Sequence, residues 1–157
     1  MPFDSAMQRR IMGRFATGVT VITARVGDQL WGMTANAVAS LSLEPPLVLV
    51  AVAKNATMNG YLKEARAFAM NILTEAQEGL SRRFAQRGPK EWGDIPLATA
   101  VTGSPVFAEA LAWLDCRVAD ILPGGDHDIF LGEILAGDAR DGRPLMYFCG
   151  NYARLPE

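Results

Sequence analysis

The order of apolar and polar positions divides the chain into a run of short elements. Asp4 or Ser5 can cap a first helix, in which Met7, Ile11, Met12 and Phe15 share one face. Gly18 ends it. GVTVITARV is β-branched and alternating, which predicts a strand. Gly27-Asp28 reads as a turn into a second strand, which runs on until Glu44-Pro45-Pro46. Leu47 to Ala53 is apolar throughout and fits a strand covered on both faces. KNATMNGYLKEAR reads as a loop passing into a short helix, and FAMNIL as a further strand. Thr74 with Gln77 is a capping box, so a helix should start there and carry Leu80 and Phe84 four residues apart. Gly88 to Pro105 is loop-like. Trp113–Leu122 and Ile129–Leu135 are strands around a PGGDHD turn, and Arg143–Phe148 is a last strand. About seven strands and three helices, in an order that is not regular βαβα, predict one domain. The expected class is mainly β, a closed or partly closed antiparallel barrel with helices outside.

One segment fits neither a buried nor a solvated strand. Trp31 to Leu43 spans thirteen residues without a charge, yet carries Thr34, Asn36, Ser40 and Ser42. Taken as extended, its odd positions Met33, Ala35, Ala37, Ala39, Leu41 and Leu43 are apolar. Its even positions are Thr34, Asn36, Val38, Ser40 and Ser42. The polar face offers hydroxyls and an amide, with neither bulk nor charge. Such a face suits a large, flat ligand with polar edges. The same pattern also fits a short solvated strand with a kink.

Composition narrows the function without naming it. The 157 residues are half hydrophobic and one-fifth charged, with a formal net charge of −2. That is a globular composition, and no global field draws in nucleic acid or anionic lipid. No apolar run approaches the roughly 18 residues of a membrane span. MPFDSAMQRR has no apolar signal core, so a cytoplasmic protein is expected. Cys116 and Cys149 form no CxxC and read as thiols of a reducing compartment, with a disulfide possible but not indicated. A single histidine, His127, rules out a zinc site built on several His of one chain. Trp31, Trp92 and Trp113 lack basic interleaving and read as packing residues.

The run FATGVTVIT, then GMTANAVASLSLEPPLVLV, then GGDHDIFLGEI and the closing GNY resemble the flavin reductase-like domain family. The resemblance extends from about Met7 to Tyr152. It implies a split β-barrel, that is, a Greek-key antiparallel barrel with flanking α-helices, in a single domain over residues 1–157. It further implies a homodimer, FMN or FAD as flavin, and NADH or NADPH as co-substrate. Many such proteins are reductase components that supply reduced flavin to a partner monooxygenase by diffusion; the alternatives on the same fold are a non-enzymatic flavin-binding protein and an oxidoreductase that keeps its flavin tightly bound. Carried over residue by residue, the resemblance implies that Thr34, Ala35, Asn36 and Ala37 line the isoalloxazine ring. Ser40 and Ser42 would face the ribityl chain or phosphate. Ala53, Lys54, Asn55 and Thr57 would form a second flavin-contacting loop. Arg83 and Phe84 would close the site from the capped helix. His127 would sit near nicotinamide and flavin, and Tyr152 would border the nicotinamide pocket.

Several of these residues have a plainer use. Lys54 and Arg83 also read as solvated charges, and Phe84 pairs with Leu80 as core packing. An isolated histidine is more often structural, and Tyr152 can simply seal the barrel. The implied reaction moves a hydride from C4 of the nicotinamide to N5 of the flavin. The cofactors carry that chemistry, so the lack of an evident nucleophile or paired carboxylates is what the resemblance leads one to expect.

Overall fold

The computed structural model describes residues 2–157. Seven antiparallel strands form its main sheet, which comprises β2 (Thr20–Val26), β3 (Gln29–Ala35), β4 (Val38–Leu43), β5 (Pro46–Ala53), β6 (Ala67–Ile72), β9 (Ala112–Gly124) and β10 (His127–Ala139). Their order across the sheet is β3-β2-β6-β9-β10-β5-β4. The two edge strands, β3 and β4, are consecutive in sequence and joined by Asn36-Ala37 alone. The sheet therefore curls until its edges approach, but no ladder joins them. This is the partly closed form of the expected barrel, split between β3 and β4. A small second sheet combines β1 (Thr17–Gly18), β11 (Met146–Phe148) and β12 (Asn151–Ala153), and β7 (Leu97–Ala98) pairs with β8 (Val106–Phe107). Three helices flank the sheets: α1 (Ser5–Met12), α2 (Thr57–Ala65) and α3 (Glu78–Ala85).

The alternation in GVTVITARV feeds two separate cores. Ile22 and Ala24 join Val48, Val50, Val52, Phe68 and Phe130 inside the curled sheet, closed by Met58 and Leu62 of α2. Val19 and Val21 point the other way, to Leu73, Phe107, Leu145 and Phe84 of α3. β2 is thus buried on both faces. Its buried polar residues are bonded internally: Thr20 Oγ1 donates to the Ala35 carbonyl at 2.6 Å, and Thr23 Oγ1 donates to the Pro105 carbonyl at 2.5 Å. β5 is covered less evenly than its composition predicts. Val48, Val50 and Val52 are buried, whereas Leu47, Leu49, Ala51 and Ala53 are only half-buried.

Three further expectations are corrected in detail. The predicted single strand from Met33 to Leu43 is two strands, because Asn36-Ala37 carries the chain from one sheet edge to the other. The Thr74 capping box is present, with Gln77 Oε1 accepting from Thr74 N at 2.9 Å. It caps a 3-10 turn over Glu75–Gln77 that α3 then continues. The β9–β10 hairpin is longer than predicted and turns on two residues, Gly125 and Asp126. Gly125 takes the left-handed φ of +68° that suits the first position of such a turn. His127 is therefore the first strand residue of β10, not part of the turn.

The apolar face of α1 has no cover within the chain: Met7, Ile11, Met12 and Phe15 are all exposed. Both cysteines are free thiols. Burial, helped by the neighbouring Asp115 charge, pushes the Cys116 thiol up to about 12. No helix among the described residues is long and apolar enough to cross a membrane.

Candidate functional site

A cavity of about 600 Å³ runs beside edge strand β3. An edge strand directs alternate N–H and C=O groups away from its sheet, so this wall offers backbone donors and acceptors as well as side chains. α3 forms the facing wall and the start of α2 forms one end. The C-terminal strands contribute Tyr147 and Tyr152.

Packing fixes how closely α3 approaches β3. A Cβ built on Gly32 would lie 2.7 Å from Phe84 Cδ1 and Cε1, and 3.3 Å from Trp92 Cη2. The Phe84 ring therefore rests directly on the strand backbone, and only glycine leaves room for it. Phe84 is held there by Trp92 and Phe107, at ring separations of 5.0 and 5.6 Å. Two residues along β3, Thr34 Oγ1 donates to the Ser81 carbonyl at 2.6 Å. Ser81 Oγ in turn lies 2.6 Å from Tyr152 Oη. On the opposite face of β3, Trp31 stacks on Tyr61 of α2 at 5.3 Å.

Of the residues singled out from the sequence, Thr34, Ala35, Asn36, Asn55, Thr57, Phe84 and Tyr152 line this cavity. They come from four separate parts of the chain. Asn36 Nδ2 donates to Thr17 Oγ1 at 3.3 Å. The others lie outside the cavity wall. Ala37 is exposed, and its carbonyl accepts from Ala51 N at 2.9 Å. Ser40 and Ser42 flank an irregularity in the β4–β5 ladder. Ala53 pairs with His127 across β5 and β10, and Lys54 N donates to the Asp126 carbonyl at 3.0 Å. His127 is partly exposed, with Nδ1 2.7 Å from Asp126 Oδ1. That hydrogen bond, aided by the imidazole charge, holds the Asp126 carboxyl below the usual carboxylate range. His127 thus pairs with Ala53, two residues before Asn55 of the cavity wall.

Arg83 faces away from the cavity. Its guanidinium grips Asp94 through two bonds of 2.7 and 2.9 Å and donates to the Glu91 carbonyl at 2.9 Å. This pairing holds Asp94 below, and Arg83 above, their ordinary values. The role visible for Arg83 is to fasten the 91–94 loop against α3, next to a smaller hollow of about 310 Å³.

Ser81, Gly32, Trp31 and Arg87 also line the large cavity and were not singled out as site residues. Ser81 stands three residues before Phe84, so a helical period would have put both on the buried face. Gly32 opens the GMTAN run, but its role is defined by a ring 52 residues away, which local pattern does not show.

The electrostatics are simple. Arg87 is the only charged residue lining the cavity among the described residues, and no acidic residue does. α2 begins there with Ala56 as its cap, which offers no side-chain acceptor to the first-turn amides. That end is electropositive and suits phosphate oxygens. The rest of the wall suits a flat ring with polar edges, so the residues present fit a flavin nucleotide. No group of three or more His, Cys, Asp or Glu among the described residues is placed to hold a metal ion.

A split barrel with a groove free of acidic residues along its open edge defines a nucleotide-binding domain of the flavoprotein kind. Residues 12–156 match the model of the flavin reductase like domain, and the chain belongs to that family. It is 45% identical over 150 residues to the reductase component of 4-hydroxyphenylacetate 3-monooxygenase of Thermus thermophilus, covering 94% of each chain. It is 40% identical over 152 residues to the FMN reductase (NADH) SmoA of Agrobacterium fabrum, covering 97% of this chain and 87% of that one. The NADH:FAD oxidoreductase SgcE6 of Streptomyces globisporus, solved in complex with NAD and FAD fragments, superposes with a TM-score of 0.92. Its identity is 36%, and the match covers 98% of this chain and 93% of that one.

Proposed function

We infer that this protein is an NAD(P)H:flavin oxidoreductase, which reduces FMN or FAD and supplies it to a partner monooxygenase. The observation that carries the reading is the groove along β3, where hydroxyls, an amide and backbone groups converge without a carboxylate or nucleophile. When bound, the two cofactors supply the redox chemistry, a hydride passing from the nicotinamide to the flavin. The chain has to hold two flat rings face to face and shield them from water. Thr34, Asn36 and the β3 backbone bind and orient the flavin edge. Asn55, Thr57 and the first-turn amides of α2 receive phosphate. Tyr152 borders the nicotinamide side, and His127 steadies the nicotinamide at the mouth. With one cation in the wall, few charge-assisted bonds hold the flavin, which favours exchange over permanent retention.

The active form is a homodimer in the cytoplasm. The bare apolar face of α1, together with Leu41 and Leu43 exposed on edge strand β4, supports pairing with a second copy. Two free thiols accord with a reducing compartment. Ser40, Ser42, Ala53 and Lys54 are proposed to reach the flavin only at that assembled edge.

The deciding experiment is steady-state oxidation of NADH and NADPH with FMN, FAD and riboflavin supplied in turn. Nicotinamide consumption that depends on added flavin is the expected result. A yellow protein inert to both nicotinamides overturns the reading.

A further inference from the structure

Ser81 touches the cavity wall at two points. It is fully buried. Its carbonyl accepts from Thr34 Oγ1, and its hydroxyl meets Tyr152 Oη. A hydroxyl carries one proton. Thr34 has committed its proton to the Ser81 carbonyl, so it meets a ligand with lone pairs only. The Ser81 proton has Tyr152 Oη as its one side-chain acceptor among the described residues. A buried hydroxyl that fails to donate is costly, so the arrangement that satisfies the buried Ser81 proton is the one in which Ser81 donates to Tyr152. The phenolic proton is then left free for the cavity. The Tyr152 ring cannot turn away, because Arg82 stacks over it at 4.8 Å and Tyr147 abuts it at 5.3 Å.

We propose that Ser81 is a positioning residue that links an acceptor, Thr34 Oγ1, and a donor, the Tyr152 hydroxyl, at one cavity. Together they read a ligand edge on which an N–H stands next to a C=O. Two cofactor groups carry that edge: the carboxamide of nicotinamide and the imide of the flavin ring. The proposal rests on the reductase reading and adds the rule by which the cavity selects its ligand. Thr34 reads the N–H half and Tyr152 the C=O half. Ser81 sets the direction of the second bond.

The test is equilibrium binding by calorimetry of four probes to the parent protein, Thr34→Val, Tyr152→Phe, Ser81→Ala and Ser81→Thr. The probes are NAD, its 3-acetylpyridine analogue, FMN and N3-methyl-FMN; each analogue lacks the N–H and keeps the C=O. The parent is expected to prefer one intact cofactor about tenfold over its analogue, the worth of one hydrogen bond. The pair that shows the preference identifies the group being read. Thr34→Val should erase the preference. Tyr152→Phe and Ser81→Ala should weaken intact cofactor and analogue alike by about five- to tenfold, and Ser81→Thr should restore binding. A Ser81→Ala protein with lowered melting temperature but parental affinities for all four probes overturns the proposal. So does a parent with no preference within either pair. NADH turnover with added flavin, scored on the same parent sample, judges the reductase reading separately.

Discussion

Replacing Gly32 by alanine puts a methyl group where the Phe84 ring already lies. The new carbon would stand 2.7 Å from two ring atoms, against about 3.5–4.0 Å for comfortable carbon contact. The ring must retreat by about 1 Å. It is 1% exposed and backed by Trp92 and Phe107, so it cannot swing aside, and α3 must move with it. Overpacking of this kind costs about 1–3 kcal/mol. Removing a glycine from a strand returns about 0.5–1 kcal/mol. At mid-range the net loss is about 1.25 kcal/mol, which lowers the melting temperature of a domain this size by about 2.5–5 °C. The same displacement pulls Ser81 off Thr34, a bond now 2.6 Å long, and flavin affinity should fall about tenfold. Circular-dichroism melts and flavin titration read both effects. Shortening the ring in Gly32→Ala/Phe84→Leu should recover part of the loss, with a coupling of about 0.5 kcal/mol or more. Strictly additive single and double variants, or a Gly32→Ala protein with parental melting and affinity, would refute the wedge between β3 and α3.

Three other outcomes are expected. His127→Ala should raise the KM for the nicotinamide about tenfold with kcat nearly unchanged; an unaltered KM in steady-state assays removes His127 from the site. Asp128 is held below the usual carboxylate range by hydrogen bonds from Asn59 and Lys63. Its stabilisation is therefore present above about pH 4 and is lost as the pH falls through its lowered value. Thermal melts from pH 6 down to pH 2.5 should fall more steeply for the parent than for Asp128→Asn, and parallel curves would remove the assignment. Sedimentation velocity should give twice the 17.0 kDa of one chain, and charging the bare α1 face with Ile11→Glu should give monomers; a monomeric parent defeats the dimer.

Local pattern carried much of the architecture. β2 was legible because a strand between two cores needs apolar residues on both faces, and Val21, Ile22 and Ala24 supply them. The β9–β10 hairpin was legible because Gly125 stands where the turn needs a left-handed residue. The period of two also held within β3, where Gly32 and Thr34 face α3 while Trp31 and Met33 face the α2 side. It failed at Asn36-Ala37. Alternation describes one strand, and nothing in it tells that the chain leaves one sheet edge there and joins the other. Ser40 and Ser42 therefore continue the sequence pattern without continuing the cavity wall.

By itself, then, the sequence determined the character of the site: small hydrogen-bonding groups on one segment, with neither bulk nor charge. The tertiary structure alone decided its membership. Thr34, Asn55, Ser81 and Tyr152 are brought to one hollow by strand pairings between distant segments, and Arg83 is turned out of it by Asp94. The physical reason is that side-chain direction along an element is set by local backbone geometry, whereas the element facing it is set by non-local pairing and packing. Gly32 shows the difference most sharply, since its meaning lies wholly in the ring that rests upon it.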